Sequence, residues 1–327
     1  MKQLNFILCV ILFISCTEEI DIPITSTNSN IVVQGFIEKG ETAKILLTKN
    51  LPINQPYTTE ELLLNYTIDD ALVTISSNDT IDTLSVDFSS LIDRSTDTWL
   101  YNYSGSKLKG YEGGRYLLEI KKGDDYVWSI TTIPQFTPII EDDIEYIMRP
   151  TSQGDAAEGC YAFLRLPIAD ADTIGNCWQI SSKRCWDIFY TPMAGGERGL
   201  YNDEYINGWS TKIDVYPGIG YWSSYGDEDD NSSSYESNCF ETVVDGCSGA
   251  TDAFWSVGEK FELKFSSIDR ESWDFWVSLL NNNPGSPFGS PSQAKSNING
   301  GFGVFSGISS DWYELEIPTN LSIDPVE

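Results

Sequence analysis

Tyr116-Leu117-Leu118-Glu119-Ile120-Lys121-Lys122-Gly123-Asp124-Asp125-Tyr126-Val127-Trp128-Ser129-Ile130-Thr131-Thr132-Ile133-Pro134 is the stretch whose reading decides the fold. Two runs rich in aliphatic, aromatic and β-branched residues flank Lys122-Gly123-Asp124-Asp125. That spacer reads as a hairpin loop, because Gly and Asp accept the backbone conformations a tight turn requires. After the loop, Tyr126, Trp128 and Ile130 fall on one face, the two-residue period of a strand.

Upstream, residues 31–33, 43–48 and 71–75 are also β-branched or aliphatic and are separated by Gly, Asn and Asp. About seven such strands in about 105 residues predict an immunoglobulin-like β-sandwich over residues 31–136. Pro134 and Pro138 mark a break. Downstream, the runs 161–166, 178–181 and 186–190, with Phe261, Leu263 and Phe265 in strict alternation, predict a larger β-rich sandwich or barrel domain over residues 137–327. One amphipathic helix is expected near 269–283. Asp269 is its N-cap, Trp273, Trp276, Val277 and Leu280 recur at helical spacing, and Asn281-Asn282-Asn283-Pro284 stops it. That face reads as core packing rather than a cofactor site. The fold class is all-β, mainly antiparallel.

Residues 1–15 carry Lys2, then an apolar run over 6–14 broken by Cys9, then Ser15. The run is shorter than the roughly twenty residues a bilayer crossing needs and has signal-peptide proportions. Phe13-Ile14-Ser15-Cys16 resembles the bacterial lipobox, with Phe13 where Leu is usual. The resemblance implies that Cys16 becomes the first residue of the mature chain and carries fatty acyl (palmitate) groups. A single acyl chain binds a membrane only marginally, so the two or three such boxes imply give lasting attachment. Residues 16–30, polar and rich in Ser, Thr and Asn, then read as anchor and tether.

The 49 acidic against 20 basic residues give a formal charge of −29, which argues against nucleic acid or an anionic lipid surface as partner, since both select a clustered positive face. The absence of histidine excludes Ser-His-Asp and Cys-His nucleophiles and His-ligated zinc. With no catalytic motif either, an enzyme is not expected, and neither is a cofactor.

Five cysteines remain after Cys16: Cys160, Cys177, Cys185, Cys239 and Cys247. An exported compartment permits disulfides. The equal gaps 177–185 and 239–247 suit neighbouring strands, so Cys177, Cys185, Cys239 and Cys247 are disulfide candidates, with one thiol left over.

Residues 200–235 are crowded with aromatics among Gly, Ser and Asn, a composition that binding surfaces share, and Trp209, Tyr221, Trp222 and Tyr225 are the candidate ligand-binding side chains. Ordinary β-domain core is the competing reading. Asp227, Asp229 and Asn231 offer oxygen ligands suited to calcium. An EF-type loop wants Gly at the sixth position and Glu at the twelfth, where Ser232 and Asn238 stand, so a solvated loop is the simpler reading. Gly300, Gly301 and Gly303 lack the strand-to-helix context of a phosphate loop and read as turn or bulge residues. Asp79-Thr80-Ile81, Asp82-Thr83-Leu84 and Asp172-Thr173-Ile174 resemble a bacterial O-glycosylation sequon, a three-residue pattern that also arises by chance.

Several segments in order carry a wider resemblance. They are Glu18-Glu19-Ile20-Asp21, Ile31-Val32-Val33-Gln34-Gly35-Phe36-Ile37, the strand 44–49 leading into Leu51-Pro52, the hairpin ending in Ile133-Pro134, and Asn297-Ile298-Asn299-Gly300-Gly301-Phe302-Gly303-Val304-Phe305. Nearly the whole chain resembles Bacteroidota surface lipoproteins with the uncharacterised domain of unknown function 4249 (DUF4249). The resemblance implies an N-terminal sandwich, a C-terminal β-rich domain, an outer-membrane address, genomic company with TonB-dependent transporters and no known catalytic residue. Thr17-Glu18-Glu19 resembles the export signal to the outer face.

The expectation is therefore an outer-membrane, cell-surface lipoprotein anchored in lipid through Cys16. Its expected role is that of a non-catalytic accessory or ligand-capturing subunit beside a TonB-dependent transporter or similar β-barrel. Two alternatives stay open. One is a glycan-active hydrolase using a carboxylate pair, with Glu141, Asp142, Asp143, Glu145 and Asp187 among the acids available. The other is an adhesin or interaction module.

Overall fold

The computed structural model describes residues 31–50, 65–89, 100–148, 161–169, 175–184, 190–193, 199–204, 210–217, 254–281 and 294–319. The first half forms β1 (Ile31–Glu38), β2 (Thr42–Lys49), β3 (Leu72–Ser77), β4 (Thr80–Thr83), β5 (Ser85–Val86), β6 (Tyr103–Lys109), β7 (Arg115–Lys122) and β8 (Asp125–Thr132). The second half adds β9 (Glu145–Met148), β10 (Tyr161–Ala169), β11 (Cys177–Arg184), β12 (Thr191–Pro192), β13 (Leu200–Asn202), β14 (Ser210–Val215), β15 (Trp255–Ser256), β16 (Lys260–Ile268), helix α1 (Arg270–Asn281) and β17 (Phe302–Glu316). The all-β reading holds, and α1 is the expected amphipathic helix.

The strands make three sheets. A nine-stranded sheet runs β12-β11-β16-β17-β1-β2-β6-β5, with β13 also on β11, and two four-stranded sheets, β4-β3-β7-β8 and β14-β10-β15 with β9 on β10, complete the set. The hairpin that opens the sequence argument is β7–β8, in register from Arg115↔Thr132 to Lys122↔Asp125, with Gly123 at φ 59 in its loop. Its alternation is real, but the core takes the opposite face. Val127, Ser129 and Thr131 are buried, whereas Tyr126 and Trp128 stay exposed.

Both cores lie on one face of the nine-stranded sheet. The first draws on Val33 and Ile37 of β1, Ile45 and Leu47 of β2, and Val73, Ile75, Leu118, Ile120 and Val127 of the facing sheet. The second joins Trp178, Ile180, Phe261, Leu263 and Phe265 to Leu164, Leu166 and Trp255. The expected alternation of Phe261, Leu263 and Phe265 is thus the inward face of β16.

The 15-residue β17 binds these halves. Its first part pairs in parallel with β1, from Val32↔Phe302 to Glu38↔Ile308, and its second part pairs antiparallel with β16, from Ile308↔Ile268 to Glu316↔Lys260. On its inward face Phe305 enters the first core while Tyr313 and Leu315 enter the second. The expected division at residue 136 is therefore modified. The buried residues of the second core run from 139 to 317, with Phe136 packed against them, but the first core takes Ile298 and Phe305 from the far end of the chain. The glycine-rich stretch allows this approach: a Cβ on Gly303, at φ +126, would lie 1.8 Å from the Val33 carbonyl oxygen. Gly300 at φ +79 fits the expected turn.

Helix α1 covers part of the opposite face of the large sheet. Trp273, Trp276, Val277 and Leu280 pack against Phe36, Cys177, Leu200, Ile268 and Ile308, the core role expected of that stripe. Asp269 caps it as read, its Oδ1 accepting the Ser272 N–H at 2.9 Å. Its other oxygen accepts from the Gly307 N–H at 2.8 Å and from the Thr131 and Ser272 hydroxyls at 3.0 and 2.6 Å. One carboxyl therefore ties β8, α1 and β17 together. Burial pushes its pKa up, against these hydrogen bonds.

Candidate functional site

The chemistry sits where α1 stops covering the large sheet. Beyond the helix, strand alternation brings polar side chains onto the same face in cross-strand rows: Gln179, Ser266 and Ser310, then Ser181, Lys264 and Trp312, then Lys183, Glu262 and Glu314. Lys264 and Glu38 are nearly buried at 5% and 6% exposure, and the ammonium lies 3.0 and 3.1 Å from the two Glu38 oxygens. The pair compensates what each ion lost on leaving water. The Trp312 ring sits 4.9 Å from that ammonium yet leaves 48% of the residue exposed.

Beside it, the Tyr190 hydroxyl donates to Glu262, and the Trp312 side chain bonds to Tyr190. Burial first, then the Glu262 bond, pushes the Tyr190 pKa up, so it stays a neutral donor. A recess of about 110 Å³ lies among Gln179, Ser181, Tyr190, Pro192, Lys264 and Ser266. A groove of about 560 Å³ runs past Lys183, Lys260, Glu262, Glu314 and Glu316. The Tyr190–Glu262 bond stands between them, with Glu262 lining the groove and Tyr190 the recess.

A second surface of note is the outward face of the sheet β4-β3-β7-β8. Tyr126 (45% exposed), Trp128 (36%), Leu72 (52%) and Ile81 (65%) stand on it. Cross-strand rows place Leu72 and Tyr126 on either side of Lys121, and set Leu117 beside the partly buried Ile130. The Tyr126 hydroxyl donates to Glu119 at 2.7 Å, a bond that raises its pKa, and Lys121 lies 5.5 Å from its ring. This is a side of the body, not its end loops.

The buried acids outside the groove serve the fold. Glu259 and Arg184 form a bidentate pair at 2.5 and 2.6 Å inside the second core, and Glu259 also accepts the Ser256 N–H. Asp82 accepts the backbone N–H groups of Ser106, Lys107 and Leu108. Burial raises its pKa, but those donors outweigh burial and hold it below the ordinary carboxylate range. Of the acids named for a hydrolase, Glu141, Asp142 and Asp143 form an unburied 3₁₀ turn, and Glu145 pairs with Lys212 and lies 4.0 Å from Arg165. Asp187 lies outside the described residues.

Cys16, the aromatics Trp209, Tyr221, Trp222 and Tyr225, the oxygen set Asp227, Asp229 and Asn231, and Cys185, Cys239 and Cys247 likewise lie outside the described residues. Among the described residues no group of three or more Asp, Glu or Cys is arranged to hold a metal. Thr80 and Thr83 of the glycosylation-like triplets are exposed on β4, but Asp82 is used as described.

Cys177 corrects an expectation. It is a buried free thiol, packed under α1, and burial pushes its pKa up to about 12. The 177–185 gap does not join neighbouring strands, because residues 177–184 are one continuous strand. Seven steps at about 3.3 Å set Cys177 and Arg184, the two ends of that strand, about 23 Å apart.

The groove residues were absent from the sequence candidates. The available signal was the outward half of two strands, Lys260/Glu262/Lys264 and Trp312/Glu314/Glu316, opposite the apolar alternation that was read.

No curated protein and no solved structure is detectably similar to this chain. The profile of the family described as Domain of unknown function (DUF4249) matches residues 17–313, nearly the whole length, and the chain belongs to that family.

Proposed function

We propose that the protein is a lipid-anchored lipoprotein of the outer membrane, displayed on the cell exterior, that works without catalysis as an accessory or ligand-capturing subunit docked against an outer-membrane β-barrel of the TonB-dependent transporter kind. The observation that carries this reading is the apolar strip of Leu72, Ile81, Tyr126 and Trp128 on the outward side of β3, β4, β7 and β8. Large apolar side chains exposed together on one sheet face, here interleaved with Lys121 and Glu119, support an interaction surface, and a side-on strip suits a barrel neighbour better than an adhesin reaching with its end loops.

Charge favours the same face. Arg115 and Lys121 stand with Glu119 on the outward side of β7, so in a chain of net −29 this side does not repel an approaching surface. The lipobox-like Cys16 supplies the address. Residues 17–30 span at most about 50 Å fully extended, which keeps β1 within reach of the bilayer. Affinity purification of the native protein from mildly solubilised membranes brings down a barrel protein under this reading; recovery of the lipoprotein alone counts against it. Protease added to intact cells removes the protein if it is displayed, and sparing in intact but not lysed cells contradicts display.

A glycan hydrolase keeps one specific foothold. Glu262 and Glu314 are directly opposite on β16 and β17, facing the groove beside Trp312, with Cβ atoms about 5 Å apart, so that their carboxyl groups can adopt the roughly 5–10 Å separation a glycosidase pair uses. Release of reducing ends by the wild type but not by Glu262→Gln or Glu314→Gln is the result that would favour it.

A further inference from the structure

We infer that the groove over β11, β16 and β17, with its recess beside α1, binds a neutral carbohydrate. Its volume of about 560 Å³ falls in the range of small-ligand sites, and the recess of about 110 Å³ has room for several displaced waters. The charges decide the class of ligand. Lys264 is closed on Glu38, Lys260 lies 3.9 Å from Glu316, and Glu262 receives the Tyr190 hydroxyl. An anionic ligand meets Glu262, Glu314 and Glu316; a cationic one meets Lys183, Lys260 and Lys264.

A polyhydroxylated neutral ring suits both signs. Its hydroxyls donate to the carboxylates and accept from the ammonium groups, and the Ser181 hydroxyl and Gln179 amide lining the recess extend the same pattern inward. The half-exposed Trp312, standing beside the two cavities on the row of Lys264 rather than lining either, offers the flat apolar surface on which the C–H face of a sugar packs. Tyr190, held between Trp312 and Glu262, fixes the platform. This site lies on the opposite side of the sandwich from the apolar strip, so the docking reading and this one stand or fall separately.

The test is tryptophan fluorescence and calorimetric titration of the full mature chain with neutral gluco-, xylo- and manno-oligosaccharides, oligogalacturonate and oligolysine. At least one neutral oligosaccharide binds, Trp312→Ala weakens it about tenfold or more, and Trp312→Phe, which keeps a ring, weakens it less. Unchanged thermal melting of both variants shows that the fold is intact. Binding to none of the neutral probes, tighter binding of either charged probe, or equal affinity of Trp312→Ala and wild type overturns the assignment.

Discussion

Replacing Asp269 with Ala removes a single carboxyl that holds three elements at once. Its Oδ1 caps α1 through the Ser272 N–H, and capping by Asp contributes about 1 kcal/mol. Its Oδ2 accepts the Gly307 N–H, a backbone donor on β17 that a side chain cannot rotate away, and leaving such a buried donor unmatched costs about 1–3 kcal/mol. The Thr131 and Ser272 hydroxyls turn to other acceptors and add little. The expected loss is about 2–4 kcal/mol in urea unfolding near neutral pH. The pH dependence fixes the sign of a second effect. Burial raises the folded pKa of Asp269 above the ordinary aspartate value, so the folded protein holds this proton where the unfolded chain has lost it. The stability contributed by the protonated form is complete below that unfolded value and falls as pH rises through the folded one. The gap between wild type and Asp269→Ala is therefore widest in acid and narrows towards neutrality. Unfolding followed by far-UV circular dichroism at about pH 4 and about pH 7 measures both. A loss under about 1 kcal/mol, or a gap that widens with pH, refutes the reasoning.

Other perturbations give equally definite outcomes. Glu259→Ala strands the Arg184 guanidinium in the second core, where removing one partner of a buried pair costs about 3–5 kcal/mol, read as a lowered urea midpoint. Gly303→Ala places a methyl against the Val33 carbonyl oxygen at a positive φ, costing at least about 3 kcal/mol; hydrogen exchange localises the damage to β1 and β17, and exchange confined to α1 contradicts this. Cys177, with its thiol pushed up to about 12, resists alkylation at neutral pH in the folded protein and reacts on unfolding; peptide mass spectrometry that finds it labelled in the native state rejects the burial argument. Asp82→Ala removes stability that is present above the unfolded carboxylate range and lost as pH falls through the lowered folded value, so the deficit shrinks in acid.

Local chemistry was the legible part of this fold. Gly123 in a short polar loop specifies the β7–β8 hairpin within twenty residues, and Asp269 followed by Trp273, Trp276, Val277 and Leu280 specifies the capped helix. Partner choice was not legible. Residues 302–305 read as glycine-dependent turn geometry, and nothing nearby says that their partner is β1 at the other end of the chain, because a strand's own pattern encodes which face is buried and not which strand lies beside it. The same limit bears on Cys177, since the seven residues after it fit either a turn between two strands or one long strand. It also hid the groove, whose side chains come from β11, β16 and β17 with Tyr190 and meet only when those strands pair side by side. The family's profile was foreshadowed by motifs in order along the chain, since order and spacing survive where single motifs are short.

The docking strip tests the account most directly. Leu72 and Ile81 are exposed enough that Leu72→Asp and Ile81→Asp spare the fold while charging the strip. Membranes are solubilised from cells carrying the wild type or the double variant at equal abundance, and the barrel protein recovered with each is quantified. The account predicts recovery with the wild type and loss of most of it with Leu72→Asp/Ile81→Asp. Equal recovery with both, or no barrel protein with either, contradicts it.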